Sequence, residues 1–134
     1  MKLSAPHIDK NDINYVKKVL KSEWISTSSK TVNMFEDKLA SFCNTKYSVA
    51  LNSGTSAIHL GLKTLGVDKT TEVIVPSLTF IASVNPILYL GANPIIFDVD
   101  HYHNLKIDDV INFIKKKTNY KNNKTINKKT KKNY

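Results

Sequence analysis

The chain has 134 residues and a single cysteine, Cys43, so its length fits one domain and no internal disulfide can form. It has no apolar run near the ~20 residues of a membrane helix, and its N-terminus, MKLSAPHIDKND, lacks the apolar middle of a secretory signal; both features point to a soluble, cytoplasmic protein with no membrane partner. The net charge of +9 is local: all 11 acidic residues lie at or before Asp109 and nine of the 20 lysines fall between Lys115 and Lys132, yet no arginine supplies the planar fork that reads bases, so specific nucleic-acid binding is not expected.

In chain order, residues 9–21 place Ile13, Val16 and Leu20 on one helical face, with Asp9 or Asn11 as the cap. SEWISTSSK is polar and reads as a loop, in which Ser26 and Thr27 are candidates to touch a substrate, although an ordinary loop explains them too. Trp24 in the same stretch is a candidate anchor for the N-terminal arm. Residues 31–43 set Val32, Phe35, Leu39 and Phe42 at helical spacing, with Cys43 read as a small core residue at the end. YSVAL (47–51) reads as a short strand, and 55–65 as a helix stopped by Gly66. EVIVP (72–76) is a strand, 77–91 is mainly helix with Pro86 kinking or restarting it, NPIIFDVD (93–100) is a third strand, and 108–116 is a last helix. Strand, helix, strand, helix, strand is the alternation of a parallel α/β sheet, whose ligands sit beyond the carboxyl ends of the strands.

One of those ends carries LNSGTSAIHL (51–60), a turn in which Ser53, Thr55 and Ser56 surround Gly54. The opening amides of a helix have no partner within it, and the dipole adds partial positive charge, so the turn suits a phosphate. A hydroxyl that simply caps the helix accounts for the same residues. The spacing matches neither the dinucleotide fingerprint nor the Gly-x-x-x-x-Gly-Lys phosphate loop. After the next strand, Ser77, Thr79 and Phe80 reach the same edge; Phe80 either stacks on a flat ring or packs as core. His101 and His103 near Asp98 and Asp100 form no complete metal set, and His59 reads as a packed or half-exposed helix residue.

Together, WISTSSKTVNMFEDKLASFCNTKYSVALNSGTSAIHLGLKTLG and EVIVPSLTFIASVNPILYLGANPIIFDVD resemble the start of the DegT/DnrJ/EryC1/StrS sugar aminotransferases, over nearly all of residues 8–115. The resemblance implies the N-terminal part of a fold-type-I large domain, three-layered with a mostly parallel sheet, truncated, and using pyridoxal 5′-phosphate (PLP). It implies that Gly54, Thr55 and Ser56 begin the phosphate cup and that Phe80 stacks on the ring. It implies an amino group moved, usually from glutamate, onto a keto group of a nucleotide-linked sugar, in a homodimer. The family's Schiff-base lysine lies in a Ser-x-x-Lys context far downstream; no lysine here has a serine three places before it, and Lys30 has Thr27 there. Asp98 and Asp100 belong to an earlier segment than the aspartate that pairs with the pyridinium nitrogen. Residues 1–114 are therefore expected to be a partial cofactor domain without catalytic residues, and 115–134 an unfinished Lys/Asn-rich hairpin or a disordered tail. The isolated chain is expected to be inactive. A small α/β anion- or nucleotide-binding module without catalysis is the alternative.

Overall fold

A computed structural model describes residues 4–122 and 124–134. The chain divides into two compact units, Met1–Ala50 and Leu51–Tyr134.

In the first unit, helix α1 (Lys10–Lys21) starts at a capping box. Asp9 accepts from the amides of Asn11 (2.7 Å) and Asp12 (3.0 Å), and Asp12 accepts from the Asp9 amide (3.0 Å). Helix α2 (Lys30–Phe42) is capped by buried Ser29, whose Oγ accepts from the Val32 amide at 3.4 Å. The apolar faces expected of both helices are formed but remain uncovered: Ile13, Val16, Leu20, Phe35 and Phe42 are all exposed. Cys43 is exposed as well, contrary to the core position expected of it, because it occupies the C-cap beyond the last helical turn. The expected strand at 47–51 is also not formed. Among the described residues nothing pairs with it, and α2 takes its polar groups instead. The Ser48 hydroxyl donates to the Glu36 carbonyl (2.7 Å), and the Ala50 amide donates to Glu36 Oε1 (2.8 Å).

In the second unit, helix α3 (Gly54–Thr64) ends where the sequence predicts. Gly66 sits at φ +81°, and the Gly66 and Val67 amides close on the carbonyls of Lys63 and Leu62. Strands β1 (Glu72–Pro76) and β2 (Asn93–Phe97) pair in parallel, with Ile74 opposite Ile95. The segment between them is a 3₁₀ turn (Ile81–Ser83) followed by helix α4 (Asn85–Tyr89), which Pro86 restarts in the first turn, where its missing N–H costs nothing. Both helical pieces pack on α3, and α4 also packs on β2. The core is small: Val75, Ile87 and Ala92 are buried, with Leu62, Val67, Val73 and Val84 packed against them.

Helix α5 (Ile107–Lys117) carries Asp108 and Asp109 in its first turn and Lys115, Lys116 and Lys117 in its last, complementing the macrodipole at both ends. It runs directly into an antiparallel hairpin, β3 (Thr118–Lys121) and β4 (Lys124–Asn127). Asn133 then forms a parallel bridge to Thr71, immediately before β1.

Candidate functional site at the start of helix α3

Ser53 is the cap of α3. Its Oγ accepts from the Ser56 amide at 3.1 Å and lies 3.0 Å from the Ser56 hydroxyl. The capping role is therefore real, but it uses only one of the opening donors. Among the described residues, nothing accepts from the amides of Gly54 or Thr55, or from the Thr55 hydroxyl. Gly54 is exposed, and Thr55 and Ser56 are half-buried. Two free amides at the positive end of an 11-residue helix, flanked by hydroxyls, are donors from which an oxyanion could accept.

The fold itself does not ask for glycine at position 54. Its φ is outside the left-handed region, and a Cβ built there meets no protein atom within 4 Å. Without a side chain at this place the backbone stays open to approach from outside.

Phe80 stands at the residue opening the 3₁₀ turn, in extended conformation, and that turn packs against α3. Its side chain is 87% exposed, so the packed-core reading does not hold. The turn is held by Thr79, whose hydroxyl donates to Ser83 Oγ at 2.9 Å. Behind it, the Ser77 amide donates to the Phe97 carbonyl (2.7 Å), joining the carboxyl ends of β1 and β2.

The histidine–aspartate segment does not assemble a metal site: among the described residues no group of three potential ligands exists. Asp100 Oδ1 is occupied by the amides of Tyr102 and Asn104 (both 2.9 Å), and Asp98 Oδ1 by the Val99 amide (2.8 Å). They are turn-forming carboxylates. His59 is half-buried and meets Tyr89 edge-on, with ring centroids 5.9 Å apart. Trp24, 61% exposed, lines a groove of its own unit with Tyr15, Val19 and Met34. Ser26 accepts from the Ser28 amide at 3.3 Å, an ordinary loop contact.

The sequence and the α/β frame have known counterparts. Residues 6–126 match the DegT/DnrJ/EryC1/StrS aminotransferase family. The chain belongs to that family. GDP-perosamine synthase of Caulobacter vibrioides is 42% identical over 98 residues, 73% of this chain and 26% of the relative. UDP-4-amino-4-deoxy-L-arabinose–oxoglutarate aminotransferase of Shewanella sediminis is 41% identical over 98 residues, 73% and 25% respectively. Among solved structures, a Streptococcus pneumoniae protein assigned as a sugar aminotransferase, in its PLP-form, superposes with TM-score 0.75 at 34% identity, covering 82% of this chain and 28% of that one. The fold is thus that of the fold-type-I aminotransferases, α/β with a parallel sheet. The DegT/DnrJ/EryC1/StrS chain described here spans about a quarter of the length of these relatives.

Proposed function

We propose that the turn 53–56 holds the phosphate of PLP and that Phe80 lies against its ring, in an aminotransferase acting on a nucleotide-linked keto sugar. The observation that carries this reading is the pair of unengaged amides at Gly54 and Thr55, beside a glycine that the backbone does not require. In that role the amides and the Thr55 hydroxyl donate to phosphate oxygens, Ser56 adds a second hydroxyl, and Phe80 restricts the ring to one plane. Bound PLP would supply an electron sink for moving an amino group. The amino donor is an amino acid, with glutamate favoured by the oxoglutarate in the name of the Shewanella relative. Residues 1–114 then form part of a cofactor domain, with the working enzyme a homodimer. The Lys/Asn-rich segment 115–134 belongs to a hairpin of that protein rather than to a nucleic-acid arm. Within these 134 residues no lysine stands in a Ser-x-x-Lys context, so the chain alone binds without transaminating.

The test uses pyridoxine 5′-phosphate, which has no aldehyde and so cannot form imines with the 20 lysines. Equilibrium dialysis of the full chain should show saturable binding at least about tenfold tighter than for pyridoxine, about 1.4 kcal/mol, with inorganic phosphate competing. Phe80→Ala should weaken binding of the phosphate ester but leave inorganic phosphate unaffected. Equal affinity for pyridoxine and its phosphate would sink the assignment. Phosphate-ester binding that ignores the ring and Phe80 would instead favour a simple anion-binding module.

A further inference from the structure

Glu72 is the one buried carboxylate among the described residues, only 2% exposed at the first position of β1. A charge placed there must be compensated locally. The compensation comes from the far end of the chain. Asn127 Nδ2 donates to Oε2 at 2.8 Å and Thr130 Oγ1 donates to Oε1 at 2.7 Å. The Tyr134 hydroxyl accepts from Asn127 Nδ2 at 2.7 Å. The charged and titratable groups facing Glu72 are Tyr134 and Lys132.

The backbone repeats the connection. The Glu72 amide donates to the Asn133 carbonyl (2.6 Å), and the Asn133 amide donates to the Thr70 carbonyl (2.9 Å). On the opposite side of the strand, the Asn93 amide donates to the Thr71 carbonyl (3.1 Å). Residue 133 therefore covers the edge of β1 that β2 leaves open. The Tyr134 ring continues the link edge-on to Phe113 (5.9 Å between centroids), and Phe113 to Phe97 at the end of β2 (5.3 Å). Asn127 is fixed in turn, its Oδ1 accepting from the amides of Lys129 (2.9 Å) and Thr130 (3.4 Å).

We propose that Glu72 is a latch: its buried carboxylate holds the lysine-rich segment 124–134 on the edge of β1 that β2 leaves open. The latch lies at the amino end of β1, whereas Ser77 and Phe80 follow its carboxyl end, so it is distinct from the phosphate site. It turns a stretch that by composition resembles a solvated polycation into a sheet element.

Hydrogen exchange of the full chain at neutral pH, read by mass spectrometry, tests this. The amides of Asn127, Lys131, Asn133 and Tyr134 should exchange slowly in the unmodified chain. Glu72→Gln, which keeps the shape but removes the charge, should accelerate them at least about tenfold while amides of α3 and β2 keep their rates. Two further variants, Thr130→Val and Tyr134→Phe, each remove one hydroxyl of this network, so a failure of Glu72→Gln to fold leaves the proposal exposed to test. Fast exchange at 127–134 in the unmodified chain overturns it, as do unchanged rates in all three variants or equal acceleration in α3 and β2.

Discussion

Replacing Gly54 by alanine separates what the fold needs from what a ligand needs. The added methyl meets no protein atom within 4 Å, and the backbone conformation is one alanine adopts freely. Alanine also loses less conformational entropy on folding, so Gly54→Ala should stabilise the chain by up to about 1 kcal/mol, a few degrees in melting temperature. If the amides of Gly54 and Thr55 hold the phosphate, the same methyl crowds it and should cost at least about tenfold in pyridoxine 5′-phosphate affinity, or 1.4 kcal/mol. Gly61 is the internal control: it lies further along α3, and a Cβ there is equally unobstructed. Gly61→Ala should therefore stabilise by about 1 kcal/mol and leave binding unchanged. Chemical denaturation and equilibrium dialysis on the three proteins give both numbers. If Gly54→Ala binds the phosphate ester as tightly as the unmodified chain, the amides are not the phosphate site and the reasoning fails.

Other outcomes follow from the same structure. Ser53→Ala removes the α3 cap and should cost about 1 kcal/mol in denaturation experiments. Ile87→Ala empties the centre of the small core and should cost about 2–5 kcal/mol, enough to abolish a cooperative transition in a domain of this size. Incubation with PLP and borohydride should give only scattered, substoichiometric lysine adducts by peptide mapping; one stoichiometric adduct would show that a lysine here does serve as a Schiff-base partner. Stability should fall at both pH extremes, as measured by denaturation midpoints. Burial raises the Glu72 carboxyl, but the hydrogen bonds from Tyr134, Asn127 and Thr130 and the charge of Lys132 outweigh it, leaving the group below its ordinary 4.5. Its contribution is thus present above that value and is lost as pH falls through the folded value. For Tyr134, burial and the Glu72 carboxylate raise the phenol well above its ordinary 10.0, so its contribution is complete below that pH and declines as pH rises beyond it.

Local chemistry made much of this protein legible in its sequence. The caps Asp9 and Ser53, the left-handed stop at Gly66, the restart at Pro86 and the strand 72–76 depend on nearest neighbours and on period, and they form where those signals lie; the strand expected over 93–100 stops at Phe97, where Asp98 and Asp100 accept turn amides instead. The Gly54–Thr55–Ser56 turn was visible for the same reason, because a helix start is a local event. What needed tertiary structure was everything decided by a distant partner. YSVAL has the composition of a strand, but a strand exists only through a neighbour, and Glu36 took its polar groups instead. Phe80 reads as core or as a ring-stacking residue until packing leaves it bare. The burial of Glu72 depends on its side-chain donors Asn127 and Thr130, which lie more than 50 positions away. Sequence order carries short-range hydrogen bonding and periodicity, whereas burial and long-range pairing arise only when separate segments compete for the same partners.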